Sequence, residues 1–234
     1  MQQVSFKGNF LKKVDITKLN IDGTYKPIKA NFIEVDRNDL WTMQKISNDW
    51  KTPKAGLIYD VTDRVLDPPD IMKKKQEKYL PLTKNIKEED IPAFLSSQVE
   101  GTHVYAVTLQ EDNFTKLESE KILGIVAMDA RKHRNSIDTL QTRPDCISPD
   151  YGNQYFIFFK KIFCNLFNIK SKKPPRPYGN IGSSIITTLQ DMYNTRRMEL
   201  IPLNPAKPFY RKHGFHMDSM TFEYIWDPRY SKRS

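Results

Sequence analysis

The segment that most restricts what this chain can fold into is Gly179-Asn180-Ile181-Gly182-Ser183-Ser184-Ile185-Ile186, a glycine-containing turn running straight into an amphipathic helix. Ile185, Ile186, Leu189, Met192 and Tyr193 recur at helical spacing, so the helix predicted over Ser183–Asn194 has one apolar face that must be covered. The following residues supply a sheet to cover it. Met198–Leu203 reads as a strand, Asn204 caps a short helix with Pro205 at its first position, and Gly214 ends that helix. Met220, Phe222, Tyr224 and Trp226 then alternate along a last strand.

Upstream the chain is read as strands with early helices. Residues 4–35 look like short strands with turns at Asp22-Gly23 and Lys26-Pro27, Ala30–Val35 being the first strand of the main sheet. Asn38 or Asp39 caps a helix through Trp50, with Leu40, Met43, Ile46 and Trp50 on one face. Residues 51–99 hold the breaker Asp67-Pro68-Pro69-Asp70, a charged run at Lys73–Lys78 and a short helix over Glu88–Gln98. Thr102–Leu109 alternates as a strand, and Lys121–Met128 is a short apolar run containing Gly124. A polar stretch with Pro144 and Pro149 leads to Tyr155–Phe163, whose aromatic and β-branched residues read as a central strand. This order predicts an α/β or α+β fold in one domain over residues 1–234. Residues 1–29 form an N-terminal extension, 30–100 the first strand and early helices, and 101–226 the core.

Composition agrees with a folded domain: 38% hydrophobic and 12% aromatic residues exclude disorder of the whole chain. Two cysteines, Cys146 and Cys164, give neither a disulfide framework nor metal-ligand spacing, and no apolar stretch reaches membrane-spanning length. The expectation is a cytoplasmic protein with no metal and no membrane partner. A net charge of +9 directs it toward anionic partners, whether nucleic acid or a phosphate-rich cofactor. His213 and His216 read as surface histidines rather than zinc ligands.

The turn itself offers phosphate chemistry. The first amides of a helix lack intrahelical acceptors and carry the positive end of its dipole, so Gly179, Asn180, Ile181, Gly182, Ser183 and Ser184 form a candidate pyrophosphate site. Downstream, Ala206, Phe209, Tyr210, Lys212, Gly214 and Phe215 complete an A-x-x-F-Y-x-K-x-G-F pattern. Together with Ile181-Gly182-Ser183 and the strand glycine in Leu123-Gly124-Ile125-Val126, these residues resemble the GNAT superfamily of N-acetyltransferases over residues 100–226, and more loosely over Ala30–Trp50. Asn180 stands where that family often has glycine, and Pro177 where it often has Arg or Gln. Arg176, Lys172 or Lys173 then supply the missing charge, and Asn itself tolerates a left-handed backbone.

The resemblance implies a mostly antiparallel mixed sheet flanked by helices and splayed between its fourth and fifth strands. It implies acetyl-CoA as cosubstrate in the C-terminal half, acceptor recognition by the early helices, and direct attack of a primary amine on the thioester. Tyr210 takes the place of the general acid, Asn204 that of a cofactor contact, and an oxyanion donor is expected near Phe163–Leu166 on the fourth strand. Tyr151–Lys170 contains no Asp or Glu, so Asp129 at the end of the third strand is nominated as base. The acceptor stays open among small amines, peptides, protein lysines and tRNA, as does a homodimer edge along Tyr155–Phe159. The alternative is an inactive acetyltransferase-like fold that binds RNA or a protein through its basic surface.

Overall fold

The structure, a computed structural model, describes residues 8–20, 23–36, 45–46, 50, 101–114, 116–131, 134–143, 146, 176–202 and 206–231. Their strands are β1 (Gly8–Leu19), β2 (Tyr25–Val35), β3 (Thr102–Thr108), β4 (Ile122–Arg131), β5 (Arg134–Thr142), β6 (Tyr178–Gly179), β7 (Met198–Leu200), β8 (His216–Met217) and β9 (Tyr224–Trp226). The helices are α1 (Ile181–Met192), α2 (Lys207–Lys212) and α3 (Pro228–Ser231). The strands form one mixed, mostly antiparallel sheet in the order β6-β1-β2-β3-β4-β5-β7-β9-β8, with β5 and β7 parallel.

β4 is a near-continuous apolar run because both of its faces are covered. Val126 and Met128 join the cluster beneath α1, with Ile181, Ile185, Ile186 and Leu189. Ile125 and Ala127 face the other way, toward Ile46 and Trp50, both helical as expected. Gly124 lies under α1, where a Cβ would stand 2.6 Å from Ile181 Cγ2 and 3.0 Å from Ile185 Cδ1. The missing side chain therefore sets how closely α1 approaches the sheet.

The N-terminal strands are longer than the sequence suggests. β1 and β2 pair from Gly8–Val35 to Leu19–Tyr25, and the expected break at Lys26-Pro27 lies inside β2. β3 pairs only with Asn31–Val35, so Pro27 falls beyond the ladder that its missing N–H would have served. The projecting part of the hairpin still packs Val14, Ile16 and Ala30 into the α1 cluster and receives β6 against Thr17 and Lys18.

β5 lies in the stretch between Lys121–Met128 and Tyr155–Phe163 that was read as polar, and it pairs beside β4. Tyr155–Phe163, read as a central strand, lie outside the described residues. Its ladder slips where Met128 faces Ile137 and Ala127 faces Thr139, leaving Asp138 as the extra residue of a β-bulge. The bulge puts Ile137 and Leu140, three apart in sequence, against the same cluster. The last strand is also shorter than expected. The Asp218 carboxylate accepts the Met220 and Thr221 amides, Phe222 takes φ 59°, and Met220 and Phe222 are exposed in a turn between β8 and β9. Among the described residues no helix is long and apolar enough to cross a membrane.

Candidate functional site

α1 begins two residues before its predicted start, and Asn180 is its N-cap, with φ 62° and ψ 10°. The first helical bond runs from the Ser184 amide to the Asn180 carbonyl at 2.9 Å. The amides of Ile181, Gly182 and Ser183 thus precede the intrahelical ladder. A left-handed residue followed by helical ones turns successive amides into one concavity, and such a nest binds anions. The first turn has no acidic residue to compete for it. Before it, Tyr178 and Gly179 are held on β1, where a Cβ at Gly179 would lie 2.6 Å from Thr17 Oγ1.

The two serines and Gly182 are each tied to a neighbour. The Ser184 hydroxyl donates to the Asp15 carbonyl, so it fastens α1 to β1. Ser183 Oγ lies 3.1 Å from His213 Nε2. The space a side chain would fill at Gly182 is taken by the Phe209 ring at 3.3 Å and Leu140 Cδ2 at 3.7 Å. Packing of α2 onto the turn is reason enough for glycine there, and the sequence reading missed it.

Positive charge stands against Tyr178, two residues before the cap, by a route the sequence did not suggest. Arg143 Cζ lies 5.7 Å from the centroid of Tyr178, and Lys18 Nζ 6.0 Å from the same ring. Arg143 follows the end of β5, is buried, and donates to the Glu120 carbonyl at 2.7 Å. Strand, turn and helix are therefore contiguous in space although residues 144–177 intervene in the chain. Arg176 is half-buried, and both its amide and its carbonyl are engaged by the Tyr25 hydroxyl, at 2.9 and 3.0 Å. Lys172 and Lys173 lie outside the described residues, as does Asn204. The expected cap of α2 is replaced by Ala206 at the N-cap.

Tyr210 is 7% exposed, in edge contact with Phe209 at 5.1 Å and Phe215 at 5.7 Å. Its carbonyl accepts the amides of His213 at 2.9 Å and Phe215 at 3.1 Å, which closes the end of α2 before Gly214 at φ 79°. Through Phe209 the tyrosine sits one residue from the side chain packed on Gly182. Asp129 stands elsewhere. It is buried on β4 between Thr102 and Ser136, on the strand face of Ile125 and Ala127, while Tyr210 belongs to the α1 cluster. The sheet separates the two.

A group the sequence did not flag lies along β5. Among the described residues, pairing with β7 stops at Asn135 and Ser136, and β5 runs on to Thr142 through the bulge. Asp138 is an exposed carboxylate on that bulge. Where β5 meets β7, Asn135 is 1% exposed, and among the described residues neither of its side-chain amide atoms has a hydrogen-bond partner. An orphaned buried amide of this kind calls for a ligand or water. The three-residue spacing of Ile137 and Leu140 across a bulge was the only signal of this strand, and it resembles neither a strand nor a helix pattern.

His213 differs from the expected surface histidine. It is half-buried, with its ring 4.8 Å from Phe209, and burial together with Lys212 lowers its pKa below the ordinary histidine value. His216 is exposed, and among the described residues no group of three His, Cys, Asp or Glu side chains can hold a metal.

No family model matches the sequence, and no curated protein matches it. Among solved structures, the PaiA N-acetyltransferase from Thermoplasma acidophilum in complex with coenzyme A aligns at 13% identity and TM-score 0.32, covering 85% of this chain and 97% of its own. A chain of a KacTA–DNA complex aligns at 10% identity and TM-score 0.28, covering 73% of this chain and 87% of its own. Similarity this low carries no inference about function.

Proposed function

We propose that this protein is an acetyl-CoA-dependent N-acyltransferase that moves the acetyl group to a primary amine by direct attack. The observation that carries the reading is the amide nest at Asn180–Ser183, with Phe209 of the Phe209–Tyr210 pair packed on Gly182. The nest and the nearby Lys18 and Arg143 suit a pyrophosphate, which needs donors and positive charge together. Arg176 contributes through its backbone link to Tyr25, which fixes the approach to the turn.

Three chemical tasks follow. The developing oxyanion needs a preorganised donor, and a β5 amide near the bulge, beyond the end of β7 pairing, meets that need. The departing sulfur takes a proton from the Tyr210 hydroxyl. A thiol pKa near ~8.5 makes it a fair leaving group unaided, so this donation is worth toward the low end of the roughly 10²–10⁴-fold typical of acid–base catalysis. The attacking amine must be neutral. A lysine-like amine of pKa ~10.4 is neutral in about one molecule in ~10³ at pH 7, which costs roughly 4–5 kcal/mol. Asp138 replaces Asp129 as the proposed acceptor of its proton, because it lies on the bulge and is exposed, whereas Asp129 is buried on the opposite face.

Calorimetric titration with acetyl-CoA tests the reading. Micromolar binding is expected, followed by acetylation of amines in an acceptor screen that Tyr210→Phe slows. A folded protein that shows no binding overturns it.

A further inference from the structure

We propose that His213 is a second, proton-dependent anchor for the phosphate held at the Asn180–Ser183 nest, so that affinity for a phosphate-bearing ligand rises as pH falls. The inference rests on the reading of that nest as the pyrophosphate site. The imidazole is placed by two contacts: its Nε2 lies 3.1 Å from Ser183 Oγ, and its ring packs on Phe209. The backbone carbonyl of His213 accepts the Gln190 side chain at 2.8 Å, which holds the residue against α1. Ser183 is the third residue of α1, and its amide belongs to the nest. The imidazole is therefore tied to the side chain of a residue whose own amide belongs to the nest.

The groups around the ring decide how it titrates. From α1, Ser183 and Gln190 are neutral, and the first turn has no acid. From α2, Phe209 is apolar and Lys212 is a cation that disfavours the imidazolium. Burial acts in the same direction, so the free site holds a neutral imidazole at pH 7. An anion at the nest reverses the balance, because it stabilises the charged ring. Binding then takes up a proton between the histidine pKa of the free protein and that of the complex. Across that window affinity strengthens as pH falls, and below the free-state value it levels off.

The test uses dephospho-coenzyme A, whose pyrophosphate diester does not titrate between pH 5.5 and 8. Its dissociation constant is measured by calorimetry across that range for wild type, His213→Gln and His213→Lys. Wild type should bind roughly tenfold tighter at the acid end, one pKa unit of linkage. His213→Gln keeps a polar partner for Ser183 and should give a flat, weaker profile. His213→Lys carries a permanent charge and should give a flat profile near the acid affinity of wild type. A flat wild-type profile with intact binding overturns this inference and leaves the phosphate site standing. An unchanged slope in His213→Gln also overturns it. Absence of binding by all three folded proteins refutes the phosphate site itself.

Discussion

Asn180→Asp isolates the phosphate chemistry of the turn from its folding. The substitution is isosteric, the side chain is exposed, and Asp tolerates the left-handed backbone found at φ 62° nearly as well as Asn. At the N-cap of α1 a carboxylate should stabilise the helix by about 0.3–1 kcal/mol through the dipole. The same charge opposes a pyrophosphate. For two charges about 5 Å away, repulsion is about 1.7 kcal/mol in bulk water and about 6–7 kcal/mol at an effective dielectric near 20. Exposure of Asn180 sets the cost close to the water limit, so about 2 kcal/mol is expected, a loss of roughly thirtyfold in affinity. Calorimetry with acetyl-CoA reads the affinity, and thermal melting reads the fold. The deficit should shrink as salt rises from 0.05 to about 0.5 M, since the Debye length contracts from above ~10 Å to a few ångströms. A variant that melts no lower than wild type and binds acetyl-CoA equally well would refute a phosphate at this turn. Gly182→Glu would be a poorer probe, since its Cβ meets the Phe209 ring.

Other substitutions separate packing from chemistry. Gly124→Ala places a methyl 2.6 Å from Ile181 Cγ2 and should destabilise the fold by about 1–3 kcal/mol in denaturant titrations, with acetyl-CoA binding weakened because the helix start moves. Tyr210→Phe retains the edge contacts with Phe209 and Phe215, so stability should change by less than about 1 kcal/mol while turnover falls about 10²-fold at unchanged KM. Asp138→Asn should depress kcat/KM toward an amine acceptor, read in steady-state kinetics. Asp129→Asn, a change in a buried polar group on the other face, should lower the melting temperature instead.

The chain's own sequence determined those features whose cause lies within a few residues. The apolar stripe from Ile185 to Leu189 requires a covered helix, although its start at Ile181, two residues before the predicted one, was not read. The alternation of Thr102–Thr108 and the apolar run of β4 give central strands, and Gly214 gives the stop after α2. Periodicity, capping and turn preference are local, so they are written locally. The tertiary structure decided the rest. β5 is a strand because β4 and β7 hold it on both sides, and its bulge at Asp138 erases the alternation that would have announced it. Arg143 reaches Tyr178 across residues 144–177 because α1 packs across the face of the sheet onto β5, with Leu140 against Gly182, and not through chain proximity. Gly182 makes room for Phe209, and the face of β4 on which Asp129 stands was fixed by register. A shift of one residue in a ladder turns a side chain to the other side of the sheet, and that register is set only when partner strands from distant parts of the chain meet.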